Sequence, residues 1–419
     1  MATVKVITLG CRFNFYESEI MKSKIASHCS DNEFVVVNTC SVTHEAERQS
    51  RQAVRKVIKE NKSAKIIVTG CAAKTSQRYF EDLDGIFKVL QNNGKNDITE
   101  HIDLLDQKCA KYGENAFIET NSPLFFTGKA RAFLQIQNGC DNFCTYCVVP
   151  FTRGRSKSLP VDIVLKNISQ FVTSGFDEIV LSGIDIASYG RDLGEDINLC
   201  SIIKKILKNS PVRRLRISSI DPSGINDELL GLLVSENRVM PHLHLSIQSG
   251  DNSVLRVMRR KYNREKIIEV CNRILEQRSD VVFGADLIAG FPAETDNMFA
   301  NTLKLVDEAN LSLLHVFPYS PRSRTIAANM VQIPREVILE RAKVLRQKTK
   351  EAKLKLFQHL LNKTTFGVIE KLKNEYIYGK THSFLPFKIH NPPNEIVKNN
   401  VYHIKIVGFD EGTFIAELI

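Results

Sequence analysis

Residues 133–147 read Phe133-Leu-Gln-Ile136-Gln-Asn-Gly139-Cys140-Asp-Asn-Phe-Cys144-Thr-Tyr-Cys147. A short apolar run leads into a glycine and then three cysteines at C-x3-C-x2-C spacing. Ten cysteines scattered over 419 residues would give such a run in roughly 0.6% of cases, so the spacing marks a site. It lies just past a strand-like run, in a loop containing Gly139. Three thiolates this close can wrap one cubane iron–sulfur cluster. No fourth cysteine is near, so one iron would keep an open position, as catalytic zinc sites do. Zinc would want a fourth ligand, and no local Cys or His supplies one. On the residues alone, cluster and zinc both stay open.

Downstream, strand-like runs at 178–181, 215–218, 242–246, 281–288 and 314–316 alternate with helical stretches that include 161–174, 263–277 and 297–309. With 133–136 they make six βα units, the pattern of a partial, open parallel barrel. Polar groups at strand C-termini of a barrel read as catalytic or binding. Gly183, Asp185, Ser218 and Gln248 stand at such places. Glu294 is expected to cap the following helix near its N-terminus, beside a tight loop shaped by Gly290 and Pro292. His242, His244 and His315 are expected to be strand histidines rather than metal ligands. A charged amphipathic helix at 335–361 follows Pro334. Strand-like runs at 366–370, 376–379, 401–407 and 413–418 then predict a small antiparallel β domain.

Upstream, strand-like runs at 4–8, 34–38, 65–69 and 87–90 alternate with helical ones at 16–26 and 43–60. The runs are apolar on both faces, as parallel strands covered by helices are. Cys11, Cys40 and Cys71 each lie just past one of them, with 28 and 30 residues between. Strand C-termini of an open parallel sheet share one edge, so these three thiols can converge. Cys29, Cys109, Cys200 and Cys271 lack such placement and read as core or surface residues. The fold class is α/β: an N-terminal parallel-sheet α/β domain over 1–125, a central partial (β/α)6 barrel over 126–355, and the small β domain over 356–419. The first boundary is a linker at 121–129 containing Pro123 and Gly128.

Hydrophobic content of 43% suits a chain with a sizeable core. No apolar run approaches a membrane span, and the N-terminus lacks a signal-peptide pattern. A cytoplasmic location is therefore expected, where disulfides are disfavoured. Net charge is +10, and its excess is uneven. Arg48, Arg51, Arg55, Lys56, Lys59, Lys62 and Lys65 form one stripe, and Arg256, Arg259, Arg260, Lys261 and Arg264 another. Residues 335–355 carry eight Lys/Arg against three Glu. Such clusters suit a phosphate backbone. Residues 361–419 carry seven Lys against six Asp/Glu, a weak balance for gripping RNA.

The 140–147 run resembles the radical-SAM signature. Its continuation through Tyr146, Pro150, Arg153, Gly154 and Arg155 resembles the methylthiotransferase family. So does the text around Thr8-Leu-Gly-Cys11-Arg-Phe-Asn14-Phe-Tyr16-Glu17-Ser-Glu19, Asn38-Thr-Cys40-Ser-Val-Thr43 and Val68-Thr-Gly-Cys71. The resemblance covers residues 1 to about 330 well, and the last domain resembles the family's TRAM module more loosely. It implies a radical-SAM barrel and two [4Fe–4S] clusters, one on Cys140, Cys144 and Cys147 and one on Cys11, Cys40 and Cys71. It also implies S-adenosyl-L-methionine held at the open iron, with Tyr146, Gly183, Asp185, Ser218 and Gln248 as contacts. Reductive cleavage of that cofactor would give a deoxyadenosyl radical, which takes hydrogen from a C–H before a methylthio group is attached. An electron donor such as flavodoxin or ferredoxin is implied.

The family divides between tRNA adenosines beside the anticodon and an aspartate of a ribosomal protein. The motif from Cys11 through Asn14, Tyr16, Glu17, Ser18 and Glu19 most resembles the branch acting on N6-threonylcarbamoyladenosine in tRNA. The anticodon loop, with its unstacked bases, is then the expected partner. The alternatives are isopentenylated tRNA adenosine, the ribosomal aspartate, or a non-catalytic metal-dependent RNA-binding protein.

Overall fold

The computed structural model describes residues 3–26, 33–95, 98, 129–373, 375–393 and 395–419. Cys29, Cys109 and most of the 121–129 linker lie outside them. Packing divides the chain into two compact units. One gathers 1–125, 135–159 and 320–328, and the other 126–134, 160–319 and 329–419.

The first unit is built on a parallel sheet of β1 (Thr3–Thr8), β2 (Glu33–Thr39), β3 (Lys65–Gly70) and β4 (Ile86–Val89), in that order. Strand alternation sends Phe34, Val36 and Ile67 to one face, where they pack with Met21 and Ile25 of helix Arg12–Ala26. Val35, Val37, Ile66 and Val68 go to the other, against Val54 and Val57 of helix His44–Glu60. Thr43 caps the latter helix, its hydroxyl accepting from Ala46 N–H at 3.1 Å. The first helix starts at Arg12 rather than 16, because the Cys11 carbonyl already accepts from Phe15 N–H at 3.2 Å. That cysteine is thereby fixed at a helix N-terminus. A two-residue ribbon of β6 (Gln137–Asn138) and β7 (Lys157–Ser158) brackets the 140–147 loop in the same unit.

The second unit holds two three-stranded sheets. One contains β5 (Ala132–Gln135), β8 (Glu178–Ser182) and β9 (Arg214–Ile217). The other contains β10 (His242–Gln248), β11 (Val282–Ala289) and β12 (Leu311–Pro318). Ile220 stitches them together: its N–H donates to His244 O and its carbonyl accepts from Ser246 N–H, both at 2.9 Å. The result is an open six-stranded barrel with β5 and β12 at its ends. Helices Leu199–Asn209 and Asp227–Ser235 add to those read from the sequence.

Helix Arg335–Leu360 leads to a closed barrel of β13 (Thr364–Lys373), β14 (Tyr376–Thr381), β15 (Pro386–His390), β16 (Val401–Asp410) and β17 (Thr413–Leu418), in the order β13-β14-β15-β17-β16. Its pairs are antiparallel except β15–β17. β15 escapes the sequence pattern because it opens on a proline, which argues against a central strand. Phe387 and Ile389 nevertheless fill the small core with Ile369, Ile377, Ile404 and Phe414, and Val282 and Leu313 of the larger barrel join it. Nearby, the buried Glu178 carboxylate accepts from Arg131 Nε at 2.6 Å, Arg214 Nε at 2.8 Å and Arg216 Nε at 2.7 Å. Arg131 also pairs with Glu370 of β13, and Arg216 donates to His382 O at 3.0 Å. No described helix is long and apolar enough to cross a membrane.

Candidate functional site

The N-terminal cysteines meet at the C-terminal edge of β1–β3. Cys11 is exposed, Cys40 is buried just past β2, and buried Cys71 opens helix Cys71–Thr75 directly after β3. Their loops are tied together by polar side chains that the sequence presents as plain motif letters. Asn14 Nδ2 donates to Leu9 O at 2.8 Å and Thr39 O at 2.9 Å, and Asn38 Nδ2 donates to Asn14 O at 2.8 Å. Ser50 Oγ accepts from Cys40 N–H at 3.0 Å. At Gly70, φ is +100° and a Cβ would fall 2.2 Å from Thr39 O, so only glycine lets β3 turn into the Cys71 helix here. Burial pushes the Cys40 thiol up to about 11, and the charges of Cys71 and Cys11 add to that rise. Thiols sharing one field cannot all ionise cheaply unless a positive centre sits among them.

Positive charge is also supplied from the chain. Arg153, on the short helix Val149–Arg153 after the 140–147 loop, is buried in this unit. It donates to Glu17 Oε1 at 2.9 Å and Asn14 Oδ1 at 2.7 Å, and lies 4.2 Å over the Phe13 ring. Burial works against its charge, but the Glu17 carboxylate foremost, with the Cys71 and Cys11 sulfurs, outweighs that and holds it protonated. Lys95, equally buried, pairs with Glu17 from the other side. Burial would raise the Glu17 carboxyl, but Arg153 and Lys95 bring it down to about 2. Asn92 Nδ2 reaches Thr152 O at 2.9 Å and Cys71 Sγ at 3.7 Å. Arg153 and Asn92 thus link the two cysteine segments. The role of Lys95 is invisible in the sequence, because its partner is 78 positions away.

In the 140–147 loop, Cys144 is buried and Cys140 and Cys147 are half-buried. Cys140 N–H donates to Gly154 O at 3.1 Å and Cys147 N–H to Cys144 O at 2.9 Å. Gln137 Nε2 pins the entrance, donating to Gly139 O at 2.8 Å and Ser156 Oγ at 2.9 Å. At Gly139, φ is +71° and a Cβ would lie 1.9 Å from Arg155 O. Asn142 N–H points at Cys140 Sγ, 3.5 Å away, a contact of the kind that tunes cluster sulfurs. Ala327 N–H donates to Thr145 O at 2.9 Å, and Tyr146 is half-buried beside Cys147. Two all-thiol donor sets, each three-fold, fit iron–sulfur clusters better than a nitrogen- and oxygen-loving ion.

Gly183, Asp185, Ser218 and Gln248 stand in the second unit, at the C-terminal ends of the consecutive strands β8, β9 and β10. Ser218 Oγ is buried with no hydrogen-bond partner among the described residues, which fits a hydroxyl that contacts a ligand. Gln248 has φ +74°, just past a slip in the β10–β11 register. Such a strained non-glycine residue at a bulge re-aims its side chain. These features fit residues that hold a polar cofactor such as S-adenosylmethionine.

Several expectations change. Glu294 does not cap the next helix. Thr295 does, while Glu294 Oε2 turns back to Gly290 N–H at 2.9 Å and Arg341 Nη1 at 2.9 Å. Burial raises its carboxyl despite these contacts. The basic clusters are partly spent inside the fold. Arg260 pairs with Asp221 at 2.6 Å, Arg264 caps Gly250 O at 2.8 Å, and Arg341 is buried on Glu294 and Asp296. Among the histidines, His242 packs near Phe384, whereas His244 and His315 both reach Asp286. The ligand atoms of that trio lie within 4.8 Å of one another.

A profile described as the Radical SAM superfamily matches residues 134–306, and one described as Uncharacterized protein family UPF0004 matches residues 3–90. The "Threonylcarbamoyladenosine tRNA methylthiotransferase MtaB" of Rickettsia prowazekii is 41% identical over 97% of this chain and 96% of its own length. The chain belongs to the radical-SAM methylthiotransferase family. It is accordingly an enzyme that works with an iron–sulfur cluster and S-adenosylmethionine. The MtaB of Bacillus subtilis is 36% identical over 79% of this chain and 76% of its own. A "tRNA-2-methylthio-N(6)-dimethylallyladenosine synthase" of Orientia tsutsugamushi is 30% identical over 98% and 97%. The radical S-adenosylmethionine methyltransferase TsrM of Kitasatospora setae superposes with a TM-score of 0.56 at 12% identity, covering 77% of this chain and 74% of that one. That likeness concerns the fold alone.

Proposed function

We propose that this enzyme inserts a methylthio group into the adenine ring of N6-threonylcarbamoyladenosine next to the anticodon of tRNA. The observation that carries the reading is the 41% identity, over nearly the whole of both chains, to a relative bearing that name, against 30% for a dimethylallyladenosine synthase. Cys140, Cys144 and Cys147 would hold one [4Fe–4S] cluster with an iron open to S-adenosylmethionine, and Cys11, Cys40 and Cys71 a second. Bound there, these groups supply the electron transfer, the hydrogen abstraction and the sulfur. The chain's own residues orient and insulate them. Arg153 and Lys95 balance thiolate charge in a buried setting. Ser218, Gln248 and Asp185 offer polar contacts for the cofactor's ribose and amino-acid ends, with Gly183 and Tyr146 lining it.

In this reading residues 1–125 carry the second cluster, 126–355 the radical chemistry, and 356–419 a TRAM-like contribution to RNA contact. The protein works in the cytoplasm with a donor such as flavodoxin or ferredoxin. Nucleoside mass spectrometry of total tRNA from cells with and without the gene tests the substrate. Loss of the methylthio form of threonylcarbamoyladenosine, restored on complementation, supports the reading. If that nucleoside is untouched, the target is another tRNA adenosine or the ribosomal aspartate. Two clusters predict about eight irons per chain after anaerobic reconstitution, falling by about half in Cys40→Ala. An unchanged iron content in that variant would remove Cys40 from the ligand set.

A further inference from the structure

Three adjacent strands of the open barrel place His244, Asp286 and His315 side by side. On β10, Leu243, Leu245 and Ile247 are buried on one face. His244 alternates onto the other, and the cofactor candidate Gln248 stands four residues on along the same strand, past the register slip. A Cβ at Gly284 would fall 2.5 Å from His244 Nδ1, so the imidazole leans across β11 over that glycine. Asp286 follows two residues on, on the same face, and is in register with His315 of β12. His244 Nε2 lies 2.9 Å from Asp286 Oδ1, and His315 Nδ1 lies 3.2 Å from the same oxygen.

We propose that His315, oriented by Asp286 and His244, recognises the polar N6 substituent of the adenosine, a group bearing a carboxylate, a hydroxyl and ureido N–H groups, and discriminates against an apolar one. The proposal rests on the substrate reading given above. An ionised carboxylate only accepts, so the two ring nitrogens that touch Asp286 both carry hydrogen. That fixes the tautomer of each neutral ring and leaves His315 Nε2 unspent among the described residues, on the side of the ring away from Asp286. The His315 side chain is 63% exposed, whereas that of His244 is 10% exposed. A pair kept only for packing would gain nothing from the exposed member. In its neutral form Nε2 accepts from a hydroxyl or a ureido N–H. In its doubly protonated form it donates to a carboxylate, while Asp286 stabilises the imidazolium from the far nitrogen, as the acid of a Ser-His-Asp triad does. A prenyl group offers neither partner and would desolvate the nitrogen without return. Sites built to hydrogen-bond a substrate group discriminate strongly against analogues that lack it.

The test uses the anaerobically reconstituted full-length enzyme and two tRNAs, one with threonylcarbamoyladenosine and one with isopentenyladenosine beside the anticodon. Methylthio product is measured by nucleoside mass spectrometry. For His315→Phe, kcat/KM on the first tRNA is expected to fall by about 100-fold, and the preference for it over the second by at least about tenfold. His315→Gln, which keeps a polar tip, should recover part of that preference. Asp286→Asn should raise KM more than it lowers kcat. Iron content and the far-UV circular dichroism melt control for folding. A wild-type enzyme active on the first tRNA, with His315→Phe unchanged in rate and preference, sinks the recognition role and leaves the substrate reading standing. Wild-type turnover of the isopentenylated tRNA alone sinks both.

Discussion

At the residue scale, the decisive groups are charges that burial would forbid without partners. Arg153 and Lys95 surround Glu17, and all three are almost wholly buried. Removing one member of such a set leaves an uncompensated charge, at a cost of about 3–5 kcal/mol. Arg153→Met should therefore lower the urea midpoint by a corresponding amount, followed by far-UV circular dichroism because the chain has no tryptophan. A loss below about 1 kcal/mol would mean that the network is worth no more than a surface pair. Glu17 also sets a pH dependence. Its folded value of about 2 lies below the ordinary 4.5. Its stabilisation is thus complete above about 4.5 and is lost as pH falls from there toward 2. In Glu17→Gln the acid limb of stability against pH should flatten across that window, whatever the variant's baseline stability.

At the scale of elements, most of the reading was available in the sequence. The strand runs at 4–8, 34–38 and 65–69 became β1–β3 with shifts of a residue or so, because strands apolar on both faces have few other uses. Thr43 and Asn263 signalled helix starts and are the caps. The misses have local causes. β15 begins at Pro386, and helix Arg12–Ala26 starts early because Cys11 serves as its first acceptor. The turns between elements carry the strictest demands. Gly70→Ala would put a methyl 2.2 Å from the Thr39 carbonyl at a φ of +100°. The backbone at Cys71 must then move, and a cost of about 1–3 kcal/mol is expected. Iron content should drop with stability. If Gly70→Ala loads iron like the wild type, the turn does not control the position of Cys71.

At the scale of the whole molecule, long-range pairings decide how segments are used. Glu178 is the common counter-charge for Arg131, Arg214 and Arg216, and Arg131 and Arg216 extend from it to Glu370 and His382 of the C-terminal barrel. Glu178→Gln keeps the shape but leaves three guanidinium groups with one carboxylate among them. It should destabilise the second unit by about 3–5 kcal/mol, seen as a lower melting temperature by circular dichroism. An unchanged melt would show that water screens this cluster. The same scale explains why the basic stripes overstate the charge left for RNA. Arg260, Arg264 and Arg341 are each committed to acids or carbonyls within the fold.

The sequence by itself determined the α/β class and the order of most strands, because periodicity and caps act over one or two turns of chain. Only the tertiary structure brought residues 320–328 into the cysteine-bearing unit, aimed Arg153 at Glu17, and set His244 and His315 on Asp286. The side-chain pairings join residues 29 to 136 positions apart. They are made by the cost of burying a charge or polar group without a partner, which no local pattern records.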